Sequence, residues 1–224
     1  MFGFAAGLLL SAVTASIAIA TTHYRDTAGT PVPVAVTVAD LIGLWIGLVG
    51  AAVLWSRRYG SGRLGADYGY RIGAWWDVVL GAAVGAACQW GLVPLLYLPF
   101  ERADHKLAHQ LGQQTQKEVG AAHTSLSVVV VLLFLAIAAP LVEELFFRGL
   151  LLRSLAGWLH PGAAVLVSGL LFGLAHFEKL QFAGLALFGV VLGVMAWGFG
   201  RLGPSIAAHM TFNTIAVVGS VHIH

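Results

Sequence analysis

The chain has 224 residues, 58% of them hydrophobic and only 10% charged, with a formal net charge of +2 and a mean hydropathy of +0.85. A soluble domain carries roughly 25% charged residues, so this composition excludes an ordinary water-soluble globule. It implies an all-α polytopic transmembrane helix bundle, one integral membrane domain over 1–224, in the cell membrane with the lipid bilayer as its surroundings. The small, dispersed charge excludes nucleic acid as a partner. The single cysteine, Cys88, excludes an intrachain disulfide and reads as a small packing residue.

Apolar stretches of about 17–25 residues cross a bilayer as helices. Residues 2–20 form the first. Ala18-Ile19-Ala20 resembles a signal cleavage site, but no Lys or Arg precedes the apolar run, so the stretch reads as a retained span. Residues 34–55 form the second. Residues 74–98 form the third, interrupted by Pro94. Residues 125–140 continue into 141–155, and 161–177, 182–199 and 204–218 complete a set of about seven to eight membrane helices.

The loop 56–71 holds Arg57, Arg58, Arg63 and Arg71, which makes it cytoplasmic by the positive-inside rule; Arg153 and Arg201 return to the same side. The stretch 101–124 is the longest polar one, with mixed charges, and is expected to contain a surface helix on the opposite side. Gly81-xxx-Gly85 and Gly189-xxx-Gly193 suit close helix packing but read as ordinary small-residue contacts. Asp40 falls near a helix start, where the dipole favours an acid. Asp77 and Gln89 read as bonds to neighbouring helices, or as cavity lining. His23, His105, His109, His123, His160, His222 and His224 fall in loops or at ends and read as solvated. Several of Trp45, Trp55, Trp75, Trp76, Trp90, Trp158 and Trp197 suit aromatic belts at the membrane interfaces.

The segment from Pro140 to Gly149 sets Glu143, Glu144 and Arg148 inside an apolar run. Ionisable groups at membrane depth are costly and mark functional sites by default. Glu144 and Arg148 are spaced i,i+4 with the acid first, the favourable order for a pair on one face. Glu143 points about 100° away by helix geometry. One carboxylate therefore has a local partner and the other has none. A buried structural ion pair with a spare acid is one reading. A general base, Glu143, supported by Glu144 and Arg148, is the other.

Two further helices carry polar groups at helical spacing: Phe172 with His176, and His209 with Asn213. A Glu and a His together can take a proton from water, and His and Asn side chains can donate to a developing oxyanion. At ~1.5 Å per residue, Glu143 and His176 each lie about 22 Å above the turn near 158–161, so they meet across a hairpin. In a flat up-and-down bundle, His209 and Asn213 fall roughly 10–20 Å lower. Tilted helices or an indented turn at 202–204 would close that gap.

The motifs Glu143-Glu144-xxx-Arg148, Phe172-xxx-His176 and His209-xxx-Asn213, in that order, resemble those of the CAAX-protease and bacteriocin-processing family of intramembrane proteases. The resemblance covers about 125–218, the family-like catalytic core, and leaves the first three spans outside the motifs. It implies a helical bundle with a catalytic cavity in the membrane, in which Glu143 and His176 activate water. His209 and Asn213 would stabilise the oxyanion, and Glu144, Arg148 and Phe172 would support the site. Known members remove three residues from prenylated C-a-a-X proteins. The expected function is thus an intramembrane endopeptidase acting on a membrane-associated protein or peptide, in which prenylation is left open.

The resemblance favours a glutamate-type mechanism without a cofactor. Zinc on His176, His209 and one Glu stays open as an alternative, although the H-E-x-x-H spacing is absent. Two other functions compete: a non-catalytic immunity or scaffold protein of the same fold, and a proton-coupled transporter. Repeated halves with broken helices, common in transporters, are not evident.

Overall fold

The computed structural model describes residues 2–25, 32–103, 106, 110–111 and 124–220. The expected surface helix within 101–124 lies outside the described residues for most of its length, as do His105, His109, His123, His222 and His224. Among the described residues the architecture is all-helical, and eight helices position the site. These are α1 (Phe2–Thr22), α2 (Val34–Tyr59), the short α3 (Leu64–Tyr68), and α4 (Trp75–Arg102) and α5 (Ser125–Ala156). Then follow α6 (Pro161–Ala175), α7 (Phe182–Phe199) and α8 (Gly203–Ser220). Five of them, α1, α2, α4, α5 and α7, are long and apolar enough to cross a membrane, which makes the protein a multi-pass membrane protein.

Residues 125–140 continue into 141–155 as expected, in one 32-residue helix. Pro140 does not break it, because wide π-type turns over Leu132–Ala138 precede the proline. A mid-helix proline lacks an N–H and its ring crowds the carbonyl four residues back; a local π adjustment relieves both. The same device recurs in α4, where π-type turns over Cys88–Leu92 precede Pro94. A second π-type stretch in α5, Leu145–Leu151, follows the two glutamates directly.

Helices α1 and α2 form an antiparallel pair packed through glycine. A Cβ at Gly7 would lie 2.8 Å from the Leu44 carbonyl oxygen. Asp40 sits inside this interface rather than at a helix start: Ser11 Oγ donates to its carboxylate. The glycine pairs in α4 and α7 are closer contacts than ordinary small-residue packing. A Cβ at Gly81 would come within 2.5 Å of the Pro204 carbonyl oxygen, and one at Gly189 within 2.9 Å of the Gly169 carbonyl oxygen. Backbone thus meets backbone between α4 and α8 and between α6 and α7, as small residues permit in membranes.

The turn before α8 is sunk into the bundle, with Leu202, Gly203, Pro204 and Ser205 all buried. Three bonds pin it there. Leu202 N–H donates to Gly69 O at 2.8 Å, Arg153 donates to Gly200 O at 3.2 Å, and Arg201 pairs with Asp77 at 2.7 Å. Gly69 ends α3 at φ 66°, in the left-handed region, and leaves no room there for a side chain: a Cβ would lie 2.6 Å from Gly200 O. The core beside this turn is aromatic, built from Phe146, Phe147, Phe172, Phe188 and Phe212 with Leu192 and Cys88. His160 caps α6, accepting from Gly162 N–H at 3.2 Å.

Candidate active site

Helices α5, α6 and α8 bring six of the seven expected residues together, the two glutamates among them, and leave only Asn213 apart. Glu144 and Arg148 pair at 3.0 Å, both side chains fully buried. Arg148 also donates to Gly189 O on α7 at 3.0 Å, and its guanidinium lies 4.3 Å from the centre of the Phe172 ring, within cation–π range. Glu144 receives His209 Nδ1 at 3.1 Å from α8. The arginine therefore ties α5 to α7, and its carboxylate partner ties α5 to α8.

Glu143 faces elsewhere, as its 100° offset requires. Its Oε2 lies 4.0 Å from His176 Nε2 and 3.8 Å from His209 Nε2, and it has no hydrogen-bond partner. His176 is oriented by its other nitrogen, which meets Phe172 O at 2.8 Å. Phe172 is itself fully buried, with its ring edge-on to both His176, at 4.8 Å, and His209, at 5.5 Å. Exposure rises from 0% at Glu144 to 13% at Glu143 and 31% at His176, so the cluster opens to its surroundings through His176.

The flat-bundle spacing for His209 is overturned. It sits beside Glu143 and not 10–20 Å lower, because the sunken turn at 201–203 starts α8 deep in the bundle. The wide turns of α5 below Glu144 also shorten the climb from the α5–α6 turn, since π turns pack more residues into each rise.

Asn213 is one turn beyond His209 and half-buried. Its Nδ2 donates to Leu135 O on α5 at 2.8 Å. The proline explains this bond. Ala139 N–H reaches back to Phe134 O, so Leu135 O loses its usual partner at 139. Its π partner would be residue 140, a proline without an N–H. A part-buried carbonyl orphaned in this way needs a donor, and Asn213 supplies it. Sequence reasoning missed this tie, and it missed Phe188, whose ring stacks on Phe212 at 4.0 Å and meets His209 edge-on at 5.6 Å. A phenylalanine in an apolar helix carries no signal that it walls a polar cluster.

Asp77 is not part of this cluster. It is fully buried at the start of α4 and paired with Arg201. Gln89, in the π-type turns of α4, keeps a buried Oε1 without a partner.

Comparison with known proteins bears on the same helices. Residues 125–215 match the Rce1-like family, type II CAAX prenyl endopeptidase Rce1-like. The matched segment starts at the first residue of α5 and ends just after Asn213, so it holds all three motifs. The matched segment is thus similar to a family described as prenyl endopeptidases. No curated protein and no solved structure matches the chain.

Proposed function

We propose that the protein is an intramembrane endopeptidase that hydrolyses a peptide bond of a membrane-associated protein or peptide, lipidated or not, with water activated between Glu143 and His176. The observation that carries the reading is the isolated Glu143 Oε2, set 4.0 Å from His176 Nε2 and without a hydrogen-bond partner. A carbonyl can only accept, so the bond to Phe172 O assigns the proton of His176 to Nδ1 and leaves Nε2 as an acceptor. A 4.0 Å gap is too long for a direct hydrogen bond but suits one water donating to both groups. As that water's oxygen adds to the scissile carbonyl carbon, its proton passes to Glu143 or His176. The same group then returns the proton to the leaving amine as the C–N bond breaks.

His209 and Asn213 are the proposed oxyanion donors. Asn213 uses one N–H on Leu135 O and keeps a second. His209 spends Nδ1–H on Glu144, so it can donate from Nε2 only as an imidazolium. Glu144, Arg148 and Phe172 hold the two histidines and the base in register.

The mechanism is proposed as metal-free. Zinc is the second reading, because two imidazole Nε2 atoms face one carboxylate oxygen while their Nδ1 atoms are held by a carbonyl and a carboxylate, as outer-shell partners hold zinc ligands. Among the described residues, no group of three His, Cys, Asp or Glu side chains is placed to hold a metal ion. Stoichiometric zinc in purified protein, with activity lost to a chelator and restored by zinc, would establish the zinc reading.

The direct test uses the full chain in liposomes with a farnesylated C-a-a-X peptide. Release of the C-terminal tripeptide, read by mass spectrometry, is expected. An unprenylated peptide cleaved equally well would remove prenylation from the substrate class. Binding without cleavage would favour a scaffold, and proton-driven solute uptake would favour a transporter.

A further inference from the structure

A second concave region lies behind α5, away from the glutamates. It is an apolar groove of about 710 Å³ between α1, α2 and α5, lined by Ile46, Gly50, Leu54, Phe146, Leu150 and Leu151 among others. Phe146 faces the groove, whereas the next residue, Phe147, packs on Phe172 at the candidate active site. The helix therefore separates the two. Along α2 the groove runs from Ile46 to Tyr59, roughly 20 Å by helical rise. One leaflet's acyl chain spans about half of a ~30 Å hydrocarbon core, so the groove accommodates such a chain over its length.

The groove ends in polar chemistry. Arg58 lines its end. A second pocket of about 370 Å³ shares Trp55, Tyr59, Leu150, Ser154 and Trp158 with it and adds Arg153. The aromatic rim suits the membrane–water interface, where amphipathic rings gather; Trp158 is 92% exposed there. Arg58 is exposed beside the Tyr59 ring at 5.6 Å, and no carboxylate among the described residues pairs with it. Asp67 also lines the second pocket. Its oxygens already accept three donors, the hydroxyls of Ser56 and Ser61 and Ser61 N–H, which weakens it as a partner for a lipid ammonium.

We propose that this groove binds one anionic phospholipid, its acyl chain lying along α2 and its phosphate held by Arg58 and Arg153. Two guanidinium groups against one carboxylate that already accepts three hydrogen bonds favour an anionic headgroup over a zwitterionic one. The groove's position across α5 from Glu143 separates this occupant from a peptide substrate. The inference does not rest on the protease reading. A bound lipid would also brace the π-type turns of Leu145–Leu151, whose other side carries Arg148.

The test is native mass spectrometry of the purified full chain, exchanged into mixed phosphatidylglycerol and phosphatidylcholine. Gly50 provides a blocking variant expected to fold, because a Cβ there meets no atom within 4 Å; Gly50→Leu extends into the groove. Gly198→Leu is the control, being equally unobstructed and outside the groove. Wild type and Gly198→Leu should each retain one phosphatidylglycerol, preferred over phosphatidylcholine on the order of tenfold. Gly50→Leu should lose the bound lipid, and Arg58→Gln with Arg153→Gln should lose the headgroup preference. Retention unchanged in Gly50→Leu, or selectivity unchanged in the double variant, would overturn the proposal. So would a farnesylated peptide that displaces the lipid from wild type and from Gly198→Leu alike, since the groove would then belong to the substrate.

Discussion

Two clusters of charge lie in apolar helices of this protein, and they differ in how completely they are satisfied. At the base of α4, Asp77 receives Arg201 through Nε at 2.8 Å and Nη2 at 2.7 Å, and also the N–H groups of Gly73 and Ala74. Its two oxygens take four donors. In α5, Glu143 Oε2, Glu144 Oε2 and Arg148 Nε are buried without hydrogen-bond partners. Buried polar atoms left open cost stability, and a fold keeps them where they can serve another purpose. The first cluster pins a turn; the second leaves room for a reactant. Burial alone does not separate them, since Asp77 and Glu144 are both fully buried.

The largest expected effect tests the open cluster. Glu143→Gln should lower peptidase activity by about 10²–10⁴-fold, the range for loss of a general base. The denaturation midpoint in detergent should hold, because the replaced oxygen makes no hydrogen bond. A matching fall in stability would erase the contrast with Asp77.

Arg148→Met is expected to act on folding as well as on activity. It strips the fully buried Glu144 of its ion-pair partner, and breaking such a pair costs about 3–5 kcal/mol. Chemical denaturation should read that loss, and Arg148→Lys should recover only part of it, because an ammonium cannot bridge Glu144 and Gly189 O as a planar fork does. Full stability in Arg148→Met would show that the arginine serves chemistry alone.

Arg201→Gln sharpens the other side. It should lower the thermal midpoint by several degrees while activity falls less than in either variant above, since the turn would still be held by Leu202 on Gly69 and Arg153 on Gly200. Donating hydrogen bonds to the Asp77 carboxylate raises the Arg201 guanidinium above its ordinary value, so this pair stays charged throughout the physiological range. Activity lost as severely as in Glu143→Gln would mean that the turn's depth, and not only the side chains, sets the site.

The smallest effect separates saturation from burial. Asp67 of α3 accepts from Ser56, buried at the end of α2, and from the exposed Ser61, and the Ser56 hydroxyl, the largest cause, holds its carboxyl at about 2 against an ordinary 3.8. Because the folded value is the lower one, its stabilising contribution is fully present above pH 3.8 and is lost as pH falls towards about 2. A carboxyl-carbon NMR titration should show this midpoint, and Ser56→Ala should move it up towards 3.8. An unmoved midpoint would mean that the loop's backbone N–H groups dominate.

Much of this was legible in the sequence because it depends on local periodicity. Composition dictated a helical membrane bundle. The i,i+4 spacing separated Glu144, paired with Arg148, from Glu143. The hairpin across 158–161 was enough to bring His176 to the level of Glu143. What was illegible involves backbone exceptions and contacts distant in sequence. That 125–140 continues into 141–155 was legible, but how the helix absorbs Pro140 was not, because π-type turns leave no compositional mark. Asp40 looked like a helix-start acid until α1 was seen to cover it.

The amino-acid sequence by itself determined which groups are charged, which helix faces they share, and that burying them must be compensated. Only the tertiary structure decided that His209 meets Glu143, because that contact rests on three hydrogen-bonded ties between segments far apart in the chain. It also decided that Asn213 completes a carbonyl orphaned by Pro140, because a missing donor on one helix constrains its neighbour only once the two are packed together.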